Sequence, residues 1–215
     1  MKKHDSMIAV ALLAAAALAG TAGCALTSKA DVVNIRYFSP EVVKPRLTGA
    51  DASTAPAAPA PHDALEVRLG RVSSGSNLRE RIAYRDAAYE LGYYDDLRWT
   101  ERPETFVRRE LGRTLFEEHG FRRVLGGSAP SLEVEVIAFD DLRLPSGRAA
   151  RVQLKVILFE DSGVVYEDTF TVDRAVAGDK PKIEDVVAAM SSALDLACEQ
   201  VATRTSAELA KRRRP

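Results

Sequence analysis

Histidine is scarce in this chain. Three occur in 215 residues, and two of them, His4 and His62, fall in stretches that read below as a leader and a solvent loop. His119 is left for a folded domain. The run Glu117, Glu118, His119 is not the HExxH of a metalloprotease, and a histidine at a helix end is expected to face solvent. There is no GxSxG elbow, no GxxxxGK[ST] phosphate loop and no GxGxxG after a strand, so the usual frames for an α/β hydrolase, an ATPase and a dinucleotide enzyme are missing. The acidic pairs Asp95 with Asp96 and Asp140 with Asp141 lack the alternating oxygen spacing of a calcium loop and read as strand ends. No metal, cofactor or catalytic residue is expected. Net charge is as sparse, at -1, which argues against nucleic acid as a partner. With 46% hydrophobic and 28% charged residues, the composition is that of a folded globular domain, not a disordered chain. Cysteine is limited to Cys24 and Cys198. Cys198, among Leu194, Ala197 and Val201, reads as a core thiol with no cation near in sequence to activate it.

The first residues are of another character. Lys2 and Lys3 precede an uncharged Ala- and Leu-rich run over residues 7–23, ending at Thr21, Ala22, Gly23, Cys24. That is the layout of a secretory signal. Small residues directly before a cysteine resemble a bacterial lipobox with Thr21 in place of the usual Leu. On this reading residues 1–23 are a signal peptide, Cys24 is acylated, with palmitate, and becomes the mature N-terminus, and residues 24–31 are a tether. A plain signal peptide or a single membrane anchor is the alternative, although the run is short of the roughly 20 residues a span needs. Ala25 stands where an inner-membrane retention Asp would, so outer-membrane sorting is expected.

Residues 32–210 read as one domain. Val33, Ile35 and Tyr37 alternate before Pro40 as a first short strand. Residues 40–63 are rich in Ala and Pro without apolar periodicity and read as a flexible loop. Leu65, Val67 and Leu69 mark a half-buried strand, Ile82 and Tyr84 the next. Residues 89–94 follow, with Tyr89, Leu91 and Tyr93 on one covered face and Asp95 and Asp96 ending the strand. After a turn holding the one tryptophan, Trp99, a helix starts at Pro103, with Val107, Leu111 and Leu115 on one stripe and Gly120 at its end. A short strand over residues 121–125 and a turn at 126–130 come next. Then Leu132, Val134, Val136 and Ala138 pair with Val152, Leu154, Val156 and Leu158 in a hairpin whose partner numbers sum to 290, with Glu135 opposite Lys155 in a supporting salt bridge. Residues 164–172 return as a third strand. The last helix, from near Pro181, carries Ile183, Val187, Met190, Leu194, Ala197 and Val201 on one stripe, and residues 211–215 form a basic tail that reads as a solvated helix end. The predicted fold is α+β, an antiparallel sheet with two helices packed on one face in two layers. On the hairpin's other face Ile137, Phe139, Ile157 and Phe159 interrupt polar residues, as if a loop, a second copy in a homo-oligomer or a partner covered them.

The stretch YYDDLRWTERPETFVRRELGRTL, residues 93–115, resembles the PqiC-like, ABC-type transport auxiliary lipoproteins in its paired tyrosines, RW, proline and leucine-spaced helix. The resemblance implies a non-catalytic, outer-membrane-anchored periplasmic lipoprotein that assists transport of lipids or hydrophobic compounds between membranes. Its implied partners are an MCE-domain protein and an inner-membrane permease with its ATPase. Tyr93, Tyr94, Arg98 and Trp99 form the signature, as a partner contact or as core packing. A structural or assembly lipoprotein that never touches cargo is the alternative.

Overall fold

The computed structural model describes residues 33–41, 64–87, 89–145, 147–178 and 180–213. Cys24, the leader, the tether and nearly all of the Ala/Pro stretch lie outside these. From Ile35 onward the chain forms one contact unit, in the order β1 (Arg36–Phe38), β2 (Glu66–Ser74), β3 (Arg81–Ala87), β4 (Glu90–Trp99), α1 (Pro103–Arg113), β5 (Arg122–Arg123), β6 (Ser131–Leu144), β7 (Gly147–Glu160), β8 (Gly163–Ala175) and α2 (Ile183–Arg212). Thr114–Glu118 extends α1 as a π-helical turn.

The fold is α+β with an eight-stranded open sheet, but the sheet is mixed where an antiparallel one was expected. β2 and β3 both run parallel to β6 on the same edge, β2 along residues 131–136 and β3 along residues 140–142. They lie end to end, joined by residues 75–80. β4 pairs antiparallel with β3, β1 adds parallel to β4, and β5 adds parallel to β2. β7 and β8 complete an antiparallel meander on β6's other edge. Apolar alternation specifies which face a strand buries, not its direction. Here direction is set by the return of the chain along β4 and α1, which starts β6 beside the start of β2.

α1 forms as read: Pro103 occupies the first turn, where its missing N–H costs nothing, and Val107, Leu111 and Leu115 are buried on one stripe. Gly120 ends the segment in the left-handed region, φ +67°. α1 lies against β2 and β6, α2 against β7 and β8, and the two helices touch. In α2 Asp185 accepts a hydrogen bond from the Lys182 N–H at 2.8 Å and fixes the first turn. Its stripe is as read: Ile183 and Val187 are half-buried against the core and Met190, Leu194, Ala197 and Val201 are buried, with Val186 buried beside them. The end of α2 is exposed, as read, and is also tied back: Arg212 pairs with Glu160 at 3.1 Å and Arg213 donates to the Ala64 carbonyl at 2.9 Å. No helix among the described residues is long and apolar enough to cross a membrane.

Three local readings are corrected. β1 begins at Arg36, and Ile35 and Tyr37 are exposed, because a three-residue edge strand pairs through its backbone alone. Tyr89 is fully exposed in the turn before β4, and β4 does not stop at Asp95 and Asp96 but runs to Trp99. The pair sits in a bulge, since β3 advances from Arg81 to Ala83 while β4 covers Tyr93 to Arg98. The expected strand at residues 121–125 shrinks to Arg122–Arg123, with Phe121 buried beside the end of α1.

Candidate functional site

The aromatic signature is built on β4, and its four residues point in different directions. Trp99 is core. Its ring meets Phe139 edge-on with centroids 5.3 Å apart and Phe106 of α1 at 6.2 Å. Arg98 stays on its own strand: one guanidinium nitrogen donates to the carbonyls of Tyr94 (3.1 Å) and Leu97 (2.9 Å), the other to that of Asp95 (3.0 Å). A five-donor planar group so placed satisfies the carbonyls that the bulge takes out of the ladder. Tyr93 donates to the Asn77 carbonyl at 2.8 Å and stacks under Arg81, which pins the connection between β2 and β3.

Tyr94 faces the other way and enters a buried polar network. Its hydroxyl donates to Asp141 Oδ2 at 2.5 Å and accepts from Arg148 Nη2 at 2.7 Å. Arg148 grips both oxygens of Asp141, at 2.8 and 2.6 Å, and donates to the Pro181 carbonyl just before α2 at 2.9 Å. Arg143 lies 3.5 Å from the same carboxylate and covers the rings of Tyr84 and Tyr94, at 3.7 and 4.6 Å from their centroids. Burial, then the bond to Asp141, push the Tyr94 hydroxyl above its ordinary pKa, and the bond to Asp141 raises that of Arg148. Tyr84 packs edge-on to Tyr94 at 5.2 Å over Gly92, where any Cβ would come within 2.4 Å of the Tyr84 ring. β3, β4, β6, β7 and the approach to α2 are thereby tied at one carboxylate.

Asp140 and Asp141 are thus not strand ends. Both are fully buried in the middle of β6, one per face: Asp141 takes the network, and Asp140 accepts from Arg85 at 2.6 Å while its Oδ1 has no hydrogen-bond partner. The cause is a second bulge. Partner numbers in the β6–β7 hairpin sum to 290 from Leu132 with Leu158 to Val136 with Leu154, then Ile137 is skipped and Ala138 faces Gln153. The shift turns Phe139 from the face predicted for it into the core, against Trp99. Ile137, at the bulge, is 38% exposed, and Ile157 and Phe159 are half-buried. Glu135 does stand opposite Lys155, but Lys155 binds Glu167 of β8 at 2.8 Å.

The network is a set of mutually satisfied polar groups that tie strands together. Among the described residues no group of acidic, histidine or cysteine side chains could hold a metal. Cys198 is buried as read, and burial pushes its thiol well up from the ordinary value. His119 is partly exposed, not free in solvent: it stacks near Phe121 at 6.5 Å, and its Nε2 lies 2.9 Å from both oxygens of the surface residue Glu199. Sequence reasoning missed Tyr84, Arg143 and Arg148. The available signal was the two aspartates inside an otherwise apolar run of β6, which call for cationic partners.

Among proteins of curated function none matches this chain. The fold is similar to the crystal structure of a Xanthomonas campestris protein of the family designated DUF330, with 22% identity over 71% of this chain and 89% of that one and a TM-score of 0.63. It is also similar to a solved uncharacterized protein at 16% identity over 66% and 90% of the two chains, TM-score 0.54. The profile of the ABC-type transport auxiliary lipoprotein component matches residues 46–202. That span holds the signature strand, its carboxylate network and most of α2, and the chain belongs to the ABC-type transport auxiliary lipoprotein family.

Proposed function

We propose that this chain is a non-catalytic periplasmic lipoprotein, anchored in the outer membrane through Cys24, that serves an ABC/MCE-type system moving lipids or other hydrophobic compounds between the membranes. The observation that carries the reading is the family match over residues 46–202. Its partners are an MCE-domain protein and an inner-membrane permease with its ATPase, and the half-covered Ile157 and Phe159, with Ile137 farther along the hairpin, are the surface assigned to such a partner or to a second subunit. Tyr93, Tyr94, Arg98 and Trp99 support the fold here: each finds its partners within the chain. One experiment tests the reading in two arms. Crosslinked envelopes bearing the lipidated protein, followed by affinity capture and mass spectrometry, should recover the MCE-domain protein or the permease. Cys24→Ser should leave a folded protein but remove it from the outer-membrane fraction, because the acyl chains supply the anchoring energy. Capture of envelope-assembly components alone would favour a structural lipoprotein that does not meet cargo.

A further inference from the structure

Away from the network, a cleft of about 600 Å³ opens between α1, β2 and the segment around β5, within the size range of small-ligand sites. Its charge is one-sided. Arg68, Arg108 and Arg123 line it, and none of the three has a carboxylate partner among the described residues. Arg68 donates only to Ser131 Oγ at 3.3 Å, Arg108 only to the Gly70 carbonyl at 2.7 Å, and Arg123 lies over the Phe116 ring at 4.2 Å. This stands out in a chain whose other arginines are mostly paired. Arg109 and Arg113 also border the cleft, yet Glu41 and Glu101 hold the first and Glu110 and Glu118 the second. Glu117 is the one carboxylate in the lining, so three unmatched guanidiniums face a single acid. Apolar surface completes the cleft: Leu69, Phe116 and Leu125, the last 88% exposed.

We propose that this cleft binds a phosphate-bearing amphiphile, with the phosphate of an anionic phospholipid against Arg68, Arg108 and Arg123 and the first part of an acyl chain along Leu69, Phe116 and Leu125. Guanidinium forks match the several acceptor oxygens of a phosphate and keep most of their donors available here. An acidic peptide would satisfy the charge but leave the exposed leucine and the phenylalanine ring without an apolar counterpart. A lipoprotein also works where phospholipid is abundant. The proposal extends the transport reading by giving the headgroup chemistry, and it stands on the cleft alone.

The test is titration calorimetry on the full chain in a non-ionic detergent. The probes are dihexanoyl phosphatidylglycerol, inorganic phosphate and a hexaglutamate peptide. Phosphatidylglycerol should bind, and an Arg68→Gln/Arg123→Gln double variant should bind it at least about tenfold more weakly, since removing even one charge-assisted hydrogen bond costs about that factor. Arg151→Gln, which removes a guanidinium paired with Asp173 elsewhere, should bind like wild type. Should the double variant melt early, Arg123→Lys keeps the charge but loses the fork and should still weaken binding severalfold. No binding by wild type overturns the proposal, as does equal binding of inorganic phosphate, tighter binding of hexaglutamate, or an equal loss in Arg151→Gln. Envelope capture reports separately. Wild type that recovers its transport partners but binds no lipid removes only the cleft, and lipid binding without those partners removes only the transport reading.

Discussion

The two halves of the β6–β7 hairpin use the same pair of strands and are held by different forces. In the first half, residues 131–136, one face is Leu132, Val134 and Val136 against Leu158, Val156 and Leu154, all buried. In the second, past the bulge at Ile137, the same face continues as Phe139 and then as Asp141, Arg143 and Arg148. Apolar pairs are non-directional and tolerate small shifts. A carboxylate shared by two arginines and a tyrosine has one good arrangement. The first half therefore supplies burial, while the second fixes where β3, β4 and the start of α2 sit relative to the sheet.

Trp99 packs between Phe139 of the second half and Phe106 of α1, and its removal should cost most. Trp99→Ala takes away the ring between Phe139 and Phe106, so destabilisation near the upper end of about 3–5 kcal/mol is expected in urea unfolding. A destabilisation below about 1 kcal/mol, accompanied by failure to capture partners, would reassign it as a contact residue. Asp141→Ala comes next. It strands Arg148 and Arg143 without their shared anion, but both guanidiniums keep some water, which places the cost near the lower end of about 3–5 kcal/mol. A double cycle with Tyr94→Phe should show coupling, whereas the same cycle with Leu132→Val in the apolar half should be additive.

Alkali should attack by a different route. The hydroxyls of Tyr94 and Tyr166 both have folded pKa values above the ordinary 10, burial being the larger cause in each, and that of Tyr166 is pushed up to about 12. Raised values mean that their contribution is complete below pH 10 and is lost as pH climbs through the folded values. The thermal midpoint should fall between pH 10 and 12, less steeply in Tyr166→Phe, and a flat midpoint over that window would refute the assignment. The smallest effect belongs to Glu135→Gln. With Lys155 committed to Glu167, a change within about 0.5 kcal/mol is expected, and a larger one would restore the cross-strand pair as a support of the register.

The same division explains what could be read from the sequence. α1 was legible from Pro103 through Leu115 to Gly120, and the first half of the hairpin from strict alternation, because burial on one face writes a period into the residues. The parallel partners of β6 were not, since a strand's direction depends on chain that lies elsewhere. Both bulges escape for a related reason: an odd number of extra residues reverses every face after it, one at Ile137, which moves Phe139 to the other side, and three in β4 opposite Ile82, where Asp95 and Asp96 lie inside a strand that continues. The arginine cleft gathers residues from β2, α1 and the β5 segment, and no local pattern joins Arg68 to Arg123.

β6 is also a splint. It holds β2 and β3 end to end along one edge, and those pairings close loops of great length: Arg68 and Ser131, side by side, are 63 residues apart in the chain. β6, β7 and β8 need only tight turns to find each other. Loop closure thus favours a meander that assembles early and offers a bare edge, onto which the N-terminal strands dock late, β3 and β4 as a ready-made hairpin. Until they arrive, Asp140 and Asp141 lie open to water with their charges solvated. Completion of the fold is the step that seals them, and it becomes the slow part of reaching the native state.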